Sequence, residues 1–380
     1  MAAIRPLDKV RVEVIASSSV AGGQLDNFTS LLIRNDITMP SEASFEIGDD
    51  GTWQSLGEVF EPGVEFQVFV NNTPRLRGRV EMNDVPFDVR AGAVVRFTVR
   101  TKLSDAMYAS ADQRTRVKDV SIKDFVLALY EPLGYAESDF QFDQSAARNL
   151  ITGKRKSTDE APVDLEPIKI DEARVKPPET IYAAADRHLR RHGLMHWDDP
   201  MGKIVVGVPN DTQDPTYTFN MFRGPRSKTN NVLGATRTRD WSGIPAIVGV
   251  FGRGGKRDFT KARVAGFAEA RDVSDAGFFR PVTIVAEGIR TQELADRAAA
   301  RELSARSKRK DAFSIDTDGL SWWDGQGQTL YAPDTVANIN TDVAGGNAGA
   351  YYVHAVSMMR DAANGDTTQL DLVKRGIWRL

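Results

Sequence analysis

From Val10 to Lys102 the apolar and polar residues change places over short distances. Val10, Val12 and Val14 alternate with Arg11 and Glu13, which predicts a half-buried strand. Asp49, Asp50 and Gly51 form one turn signal, and Asn71 with Asn72 forms another. Strands at this spacing, with no helical period among them, predict a small β-barrel or sandwich.

The period then changes. Ile122, Phe125, Val126, Leu129, Tyr130 and Leu133 fall on one face of an α-helix. Ser121 and Asp124 stand at capping-box spacing, and Pro132 and Gly134 mark its end. The polar, proline-bounded stretch Lys154 to Asp164 predicts a loop. A second helix is expected from Glu179 to His192, stopped by Gly193, and Leu194 to Trp197 with Lys203 to Val208 reads as a hairpin. Val232 to Val250 reads as strands. Arg253 to Ala276 is basic and weakly patterned, and is expected to be an insertion or long loop. Pro281 to Ala286 predicts a strand, and Thr291 caps a third helix reaching about Lys308, with a mostly alanine apolar side.

Two distant stretches share their punctuation. The first runs Trp53, Gly57, Phe60, Pro62, Gly63, then a strand, then Val80, Met82 and Asp84. The second runs Trp323, Gly327, Tyr331, Pro333, Asp334, then a strand, then Val356, Met358 and Asp361. Each closes on β-type residues, Val94 to Val99 and Gln369 to Val373. This pattern predicts one β-unit used twice. A duplication places Trp53 with Trp323 and Val80 with Val356, and requires the same strand order in both copies. The expected architecture is mainly β within the α+β class: two related small β-barrels plus a mixed α/β domain. The first barrel is expected in 1–103 and the mixed domain in 104–220, completed by 253–309. The second barrel is expected in 221–252 and 310–380.

Composition narrows the chemistry. The 380 residues allow two or three domains. There is no cysteine, which excludes disulfides, thiolate metal sites and a cysteine nucleophile. Lysine and arginine total 49 against 52 acids, for a net charge of −3, which does not suit a dedicated nucleic-acid or membrane-surface binder. No apolar run reaches membrane-spanning length, and Met1 to Val10 lacks the apolar core of a secretory signal.

The candidate chemical motifs each have a plainer reading. Gly249, Gly252, Gly254, Gly255 and Lys256 suggest a phosphate loop, but one residue too many precedes the lysine and Arg257 follows it. A glycine-rich loop between strands is the better account. His188, His192 and His196 are spaced by four, yet Gly193 interrupts the helix and no acidic base stands between the first two, so packed histidines are expected rather than a metal site. Asp316, Asp318 and Gly319 begin like a calcium loop without its terminal glutamate, and read as a hairpin turn. The pairs Asp49–Asp50 and Asp198–Asp199 are read as solvent-facing turn tips rather than hydrolase acids. Arg301, Arg306, Lys308, Arg309 and Lys310 form the strongest basic run, at a helix C-terminus where cations offset the macrodipole. Its default reading is a solvated face; a nucleic acid or an acidic partner is the alternative.

The order of elements resembles the baseplate hub proteins of contractile-tailed phages, most closely the Mu-like tail hub family, related to the T-even phage central hub. The resemblance is carried by Phe66 to Asp84, by Ala185 to Val208 with Arg187, Arg191 and Gly193, by Arg280-Pro281 through Trp322, Trp323, Gly327 and Pro333, and by Val356 to Asp361 with Leu370 to Leu372. It implies a homotrimer in which three chains present six barrels. One face of that ring would meet the six-fold tail tube and the other the three-fold central spike, with other baseplate (wedge) proteins outside and DNA passing without specific binding. It implies a virion tail location, assembly in the bacterial host cytoplasm, no membrane insertion, no cofactor or metal, and no catalytic residue. The alternatives are a tail-associated peptidoglycan hydrolase and the hub of a bacteriocin-like or secretion particle.

Overall fold

The computed structural model describes residues 7–16, 22–25, 28–48, 61–88, 92–142, 169–192, 194–223, 230–253, 263–286, 289, 291–325, 327–343, 348–362 and 365–375. Trp53, Gly57, Phe60, Asp49, Asp50 and the expected loop 154–164 lie outside these residues.

The alternation at the N-terminus becomes strand β1 (Val10–Val14), with Val12 and Val14 buried. It is followed by β2 (Gly23–Leu25), β3 (Ser30–Asp36), β4 (Met39–Gly48), β5 (Glu65–Val70), β6 (Thr73–Asp84), β7 (Phe87–Asp88) and β8 (Gly92–Arg100). Asn71 and Asn72 both adopt positive φ, 52° and 61°, and turn β5 into β6. The apolar faces meet in an aromatic centre, where Phe45 stacks on Phe97 at 4.7 Å and Phe66 lies 5.3 Å from Phe97.

Helices α1 (Leu103–Tyr108), α2 (Ile122–Tyr130) and α3 (Ile181–Arg191) come next, with strands β9 (Arg116–Ser121), β10 (Phe140–Phe142), β11 (Lys169–Arg174), β12 (Met195–Asp198) and β13 (Ile204–Gly207) among them. The Ser121 hydroxyl accepts from the Asp124 N–H at 3.0 Å, as the capping pattern predicts, and buries Ile122, Phe125, Val126, Leu129 and Tyr130 on one face. Thr180 caps α3 through the Ala183 N–H at 3.2 Å.

After β14 (Tyr217–Met221) and β15 (Gly234–Thr238) lies a second α/β layer. Strands β16 (Ile247–Arg253), β17 (Arg263–Glu269) and β18 (Pro281–Ala286) form a sheet ordered β17–β16–β18, with α4 (Arg271–Asp275) between β17 and β18. Helix α5 (Gln292–Arg306) packs on this sheet, and Ala295 and Ala299 are fully buried there. Backbone contact needs small residues: a Cβ on Gly266 would sit 2.1 Å from the Ala295 carbonyl carbon, and one on Gly252 would sit 2.2 Å from the Ile289 oxygen. Two sequence expectations are corrected here. The stretch 253–276, expected as an insertion or long loop, contains β17 and α4. Gly249 and Gly252, expected in a loop between strands, lie inside β16. Glycine and alanine alternating under a helix carry almost no hydrophobic signal, which is why the pattern reads as weak.

The chain closes with β19 (Ala312–Asp318), β20 (Ser321–Trp323), β21 (Gln328–Leu330), β22 (Thr335–Thr341), β23 (Gly349–Asp361) and β24 (Gly365–Lys374). Fourteen strands form one continuous sheet, with a shared apolar core, and no closed ring of pairings is recorded among the described residues. The architecture is mainly β, as expected. Pairing places Tyr217–Met221 in this large sheet and Ile247–Arg253 in the small one.

Within the large sheet one strand order occurs twice. The first set runs β3–β4–β8–β6–β5–β1 and the second β15–β19–β24–β23–β22–β14. Numbered by position along the chain, both read 2-3-6-5-4-1. Four local details repeat as well. Gly63 and Asp334 both adopt positive φ, 96° and 58°, and donate their N–H to the carbonyls of Val80 (2.8 Å) and Val353 (3.0 Å). A bulge follows each, at Val80/Met82 and at Val353/Ala355. Each ladder ends with Asp opposite Gly, Asp88 with Gly92 and Asp361 with Gly365. The Thr29 N–H reaches the Glu46 carbonyl at 2.7 Å, and the Leu233 N–H reaches that of Asp316 at 2.8 Å. These details set Val80 opposite Val353, not Val356, so the Val-x-Met likeness in the sequence is slipped by three residues. One difference remains: β1 is antiparallel to β5, whereas β14 is parallel to β22.

Candidate assembly surface

The two strand sets meet edge to edge. Strand β23 carries β24 along one side. Its other side is shared: Gly349 to Val353 pair with β22, and Ala355 to Asp361 pair with β3, from Ala355 opposite Asp36 to Asp361 opposite Ser30. The Ile37 N–H extends this joint to the His354 carbonyl at 3.1 Å. The second strand of one set is thus joined to the fifth strand of the other.

Polar contacts lock the joint. The buried Asp8 carboxylate accepts from the Leu320 N–H, the Ser321 hydroxyl and the Asn71 side-chain amide, each at 2.7 Å. Arg360 donates to the Asp8 carbonyl at 2.7 Å while pairing with Asp366 at 2.6 Å. Arg75 is buried and donates to the Tyr331 carbonyl at 2.5 Å. Burial lowers its pKa to about 10, and it still carries its charge at neutral pH. Neither Asp8 nor Arg75 stands out in the sequence. Asp8 is a lone acid before a strand, and its partners Leu320 and Ser321 are more than 300 positions away.

A second clamp ties the first α/β layer to the large sheet. Asp198 accepts from the Ser41 N–H (2.8 Å), the Ser41 hydroxyl (2.7 Å) and the Thr101 hydroxyl. Burial outweighs these three donors and raises its pKa to about 6. The expectation that Asp198 and Asp199 both face solvent is therefore corrected. Asp199 does sit in the turn, accepting from the N–H groups of Met201 and Lys203 at 2.8 Å each, but Asp198 ends β12 inside the protein. Beside it, Met195, Trp197 and Val205 pack with Ile37, Val336, Tyr352 and Val373 from both strand sets.

The histidines are separated by the fold. His188 lies edge-on to Phe125 at 4.7 Å, and His196 sits in an aromatic pocket 4.3 Å from Tyr182. Burial, with the nearby Arg190 charge, lowers the His196 pKa to about 3, so it is neutral. No cluster of three metal-ligating side chains occurs among the described residues. Asp316 and Asp318 lie in β19, with Gly319 turning at φ 73°. Gly249 cannot cradle a phosphate, because a Cβ placed there would meet the Phe267 ring at 3.1 Å.

The basic run is not simply a solvated face. Arg306 pairs with Glu302 at 2.7 Å, and Lys310 pairs with Asp272 while its ammonium lies 5.2 Å from the Trp241 ring centre. Arg301 and Lys308 are lowered to about 9 and about 8, first by burial and then by Arg190. A cavity of about 340 Å³ opens between Arg77, Lys102, Asp139 and Met201, where Arg77 pairs with Glu65 at 3.0 Å and Lys102 with Asp139 at 3.5 Å.

The described surfaces thus offer sheet edges and clamped joints rather than a reactive cluster, and solved structures share this frame. The tail protein from Neisseria meningitidis MC58 superposes with a TM-score of 0.75 at 16% identity, over 98% of each chain. The chain has a tail-protein fold. The 43 kDa tail protein of prophage MuSo2 from Shewanella oneidensis shares the fold, with a TM-score of 0.70 and 14% identity over 97% of this chain and 99% of that one. A component of the E. coli type VI secretion system, described as structurally similar to the T4 bacteriophage tail proteins gp27 and gp5, shares the tail-protein fold at a TM-score of 0.54 and 10% identity, over 96% of this chain and 76% of its own. No protein-family model matches the sequence. No curated protein matches it either.

Proposed function

We propose that this chain is the structural baseplate hub of a contractile phage tail. In this reading three copies form a ring that presents six related strand sets, adapts the six-fold tail tube to a three-fold central spike, and surrounds the channel through which DNA leaves. The observation that carries it is the strand order used twice in one chain and joined head to tail. A joint between the second strand of one set and the fifth strand of the next leaves an unused copy of each surface at the ends, and such head-to-tail contacts build a ring when the rotation between copies closes. The near-zero net charge suits a channel that passes DNA without gripping it, since each neutralised phosphate would add salt-dependent affinity. The chain acts without catalysis: its buried acids and histidines serve packing and clamping.

The likeness to a secretion-system component supports a second reading, the hub of a secretion or bacteriocin-like particle, built by the same ring. Labelling the chain within intact particles tests both. The label is expected at the far end of the tail tube, next to the spike. Label on the head or along the tail sheath would contradict the proposal, as would digestion of purified cell wall by the chain alone.

A further inference from the structure

The joint inside the chain is a template for a joint between chains. Strand β3 is paired on both sides, to β4 and to β23. Its counterpart β15 is paired only to β19 among the described residues. Strand β23 is covered beyond its bulge by β3, whereas among the described residues the counterpart stretch of β6 and β7 pairs only with β8. Among the described residues, one set thus has a second strand and the other a fifth strand with no strand paired along its outer edge.

We propose that residues 82–88 of one chain pair antiparallel with residues 234–240 of a second copy of the same chain. The inference rests on the ring reading above and names the strands that close it. Its register follows from the internal joint. Val80 stands for Val353, so Met82 stands for Ala355 and Asp88 for Asp361. The shared contacts of Thr29 and Leu233 set Ser30 against Gly234 and Asp36 against Asp240. Ala355 lies opposite Asp36 and Asp361 opposite Ser30. Transferred, Met82 lies opposite Asp240, Asp84 opposite Thr238, and Asp88 opposite Gly234.

Exposure agrees with an unfilled joint. Leu31 is buried, while its counterpart Ala235 is exposed. Met82 in β6 is 57% exposed, Val85 just after it 42% and Leu233 just before β15 64%, an apolar trio at edges that other proteins commonly protect with charge. The edge of β14 is covered by Asn231, which bonds Asn220 and the Thr218 carbonyl.

The absence of cysteine makes the test direct. Asp84→Cys and Thr238→Cys, both at exposed positions, are combined in one chain and treated with a short bismaleimide. Paired residues across an antiparallel ladder have Cβ atoms about 5 Å apart. The control combines Asp84→Cys with Gly234→Cys, four residues out of register, about 13 Å along the strand. The expected result is efficient covalent dimers and trimers for the in-register pair, at least tenfold less for the control, and nothing larger than a trimer. If the untreated protein is trimeric by mass and the in-register pair does not link, this pairing is wrong while the ring stands. If no association occurs at any concentration, the ring reading fails as well. Single-cysteine variants can link only like edges and should give few covalent dimers; efficient dimers from either would also overturn the pairing.

Discussion

Val80 and Val353 hold the same place in two copies of one strand order: each accepts from the left-handed residue that opens the preceding strand, and each is followed by a bulge. Gly63 plays the opening part in the first copy and Asp334 in the second. Asp334 tolerates positive φ better than most residues, and its carboxylate also accepts from the Asn210 N–H and the Tyr352 hydroxyl at 2.7 Å each. Asp334→Ala should destabilise the chain by about 2 kcal/mol through backbone strain and lost bonds. Asp334→Gly should cost less, because it relieves the strain. Urea midpoints of the two variants check the ranking.

Asp198→Ala leaves Ser41 and Thr101 without their buried acceptor. Stability should fall by about 3 kcal/mol, with the helical layer loosening first. Hydrogen exchange in α3 and β12 would reveal that order. Equal loosening throughout would mean that the clamp does not couple the layers.

The buried His196 and Asp198 act in opposite directions with pH. His196 titrates in the fold near 3, below its ordinary 6.5, so the unfolded chain takes up the proton first. Its contribution is complete above pH 6.5 and is lost as pH falls toward 3. Asp198 titrates near 6, above its ordinary 3.8, so its contribution is present below 3.8 and is lost as pH rises through 6. In His196→Phe the acid-side loss of stability should shrink. In Asp198→Asn the decline between about pH 4 and 6 should shrink. Urea midpoints across that range separate the two, and unchanged profiles in both variants would refute the assignment.

Gly266→Val should detach α5 from its sheet, since even a Cβ would overlap the Ala295 backbone. A loss of about 3 kcal/mol or more is expected, at the upper end of overpacking costs. Gly243→Ala, with nothing within 4 Å of the added carbon, serves as the control and should change little.

The legible parts of the fold were those with strong periodicity. Helix α2 and its Ser121 cap follow from apolar spacing, and the turn at Pro62-Gly63 and Pro333-Asp334 marks both copies. The Val-x-Met likeness pointed to duplication but in a slipped register, because in strands a shift of a few residues preserves composition while bulges decide the alignment. Strand β17 was hidden because Gly266 and Ala268 make a surface for a helix from small residues rather than apolar ones. The clamps at Asp8 and Asp198 were invisible for another reason: a lone acid in sequence does not show whether its partners arrive from a distant strand.

Whether the edges of this chain close into a ring is tested most directly by native mass measurement of the purified protein over rising concentration. The account predicts a species three times the mass of the chain, and three-fold particles with an axial opening by electron microscopy. A chain that stays monomeric throughout, or stops at a two-fold dimer, would contradict it.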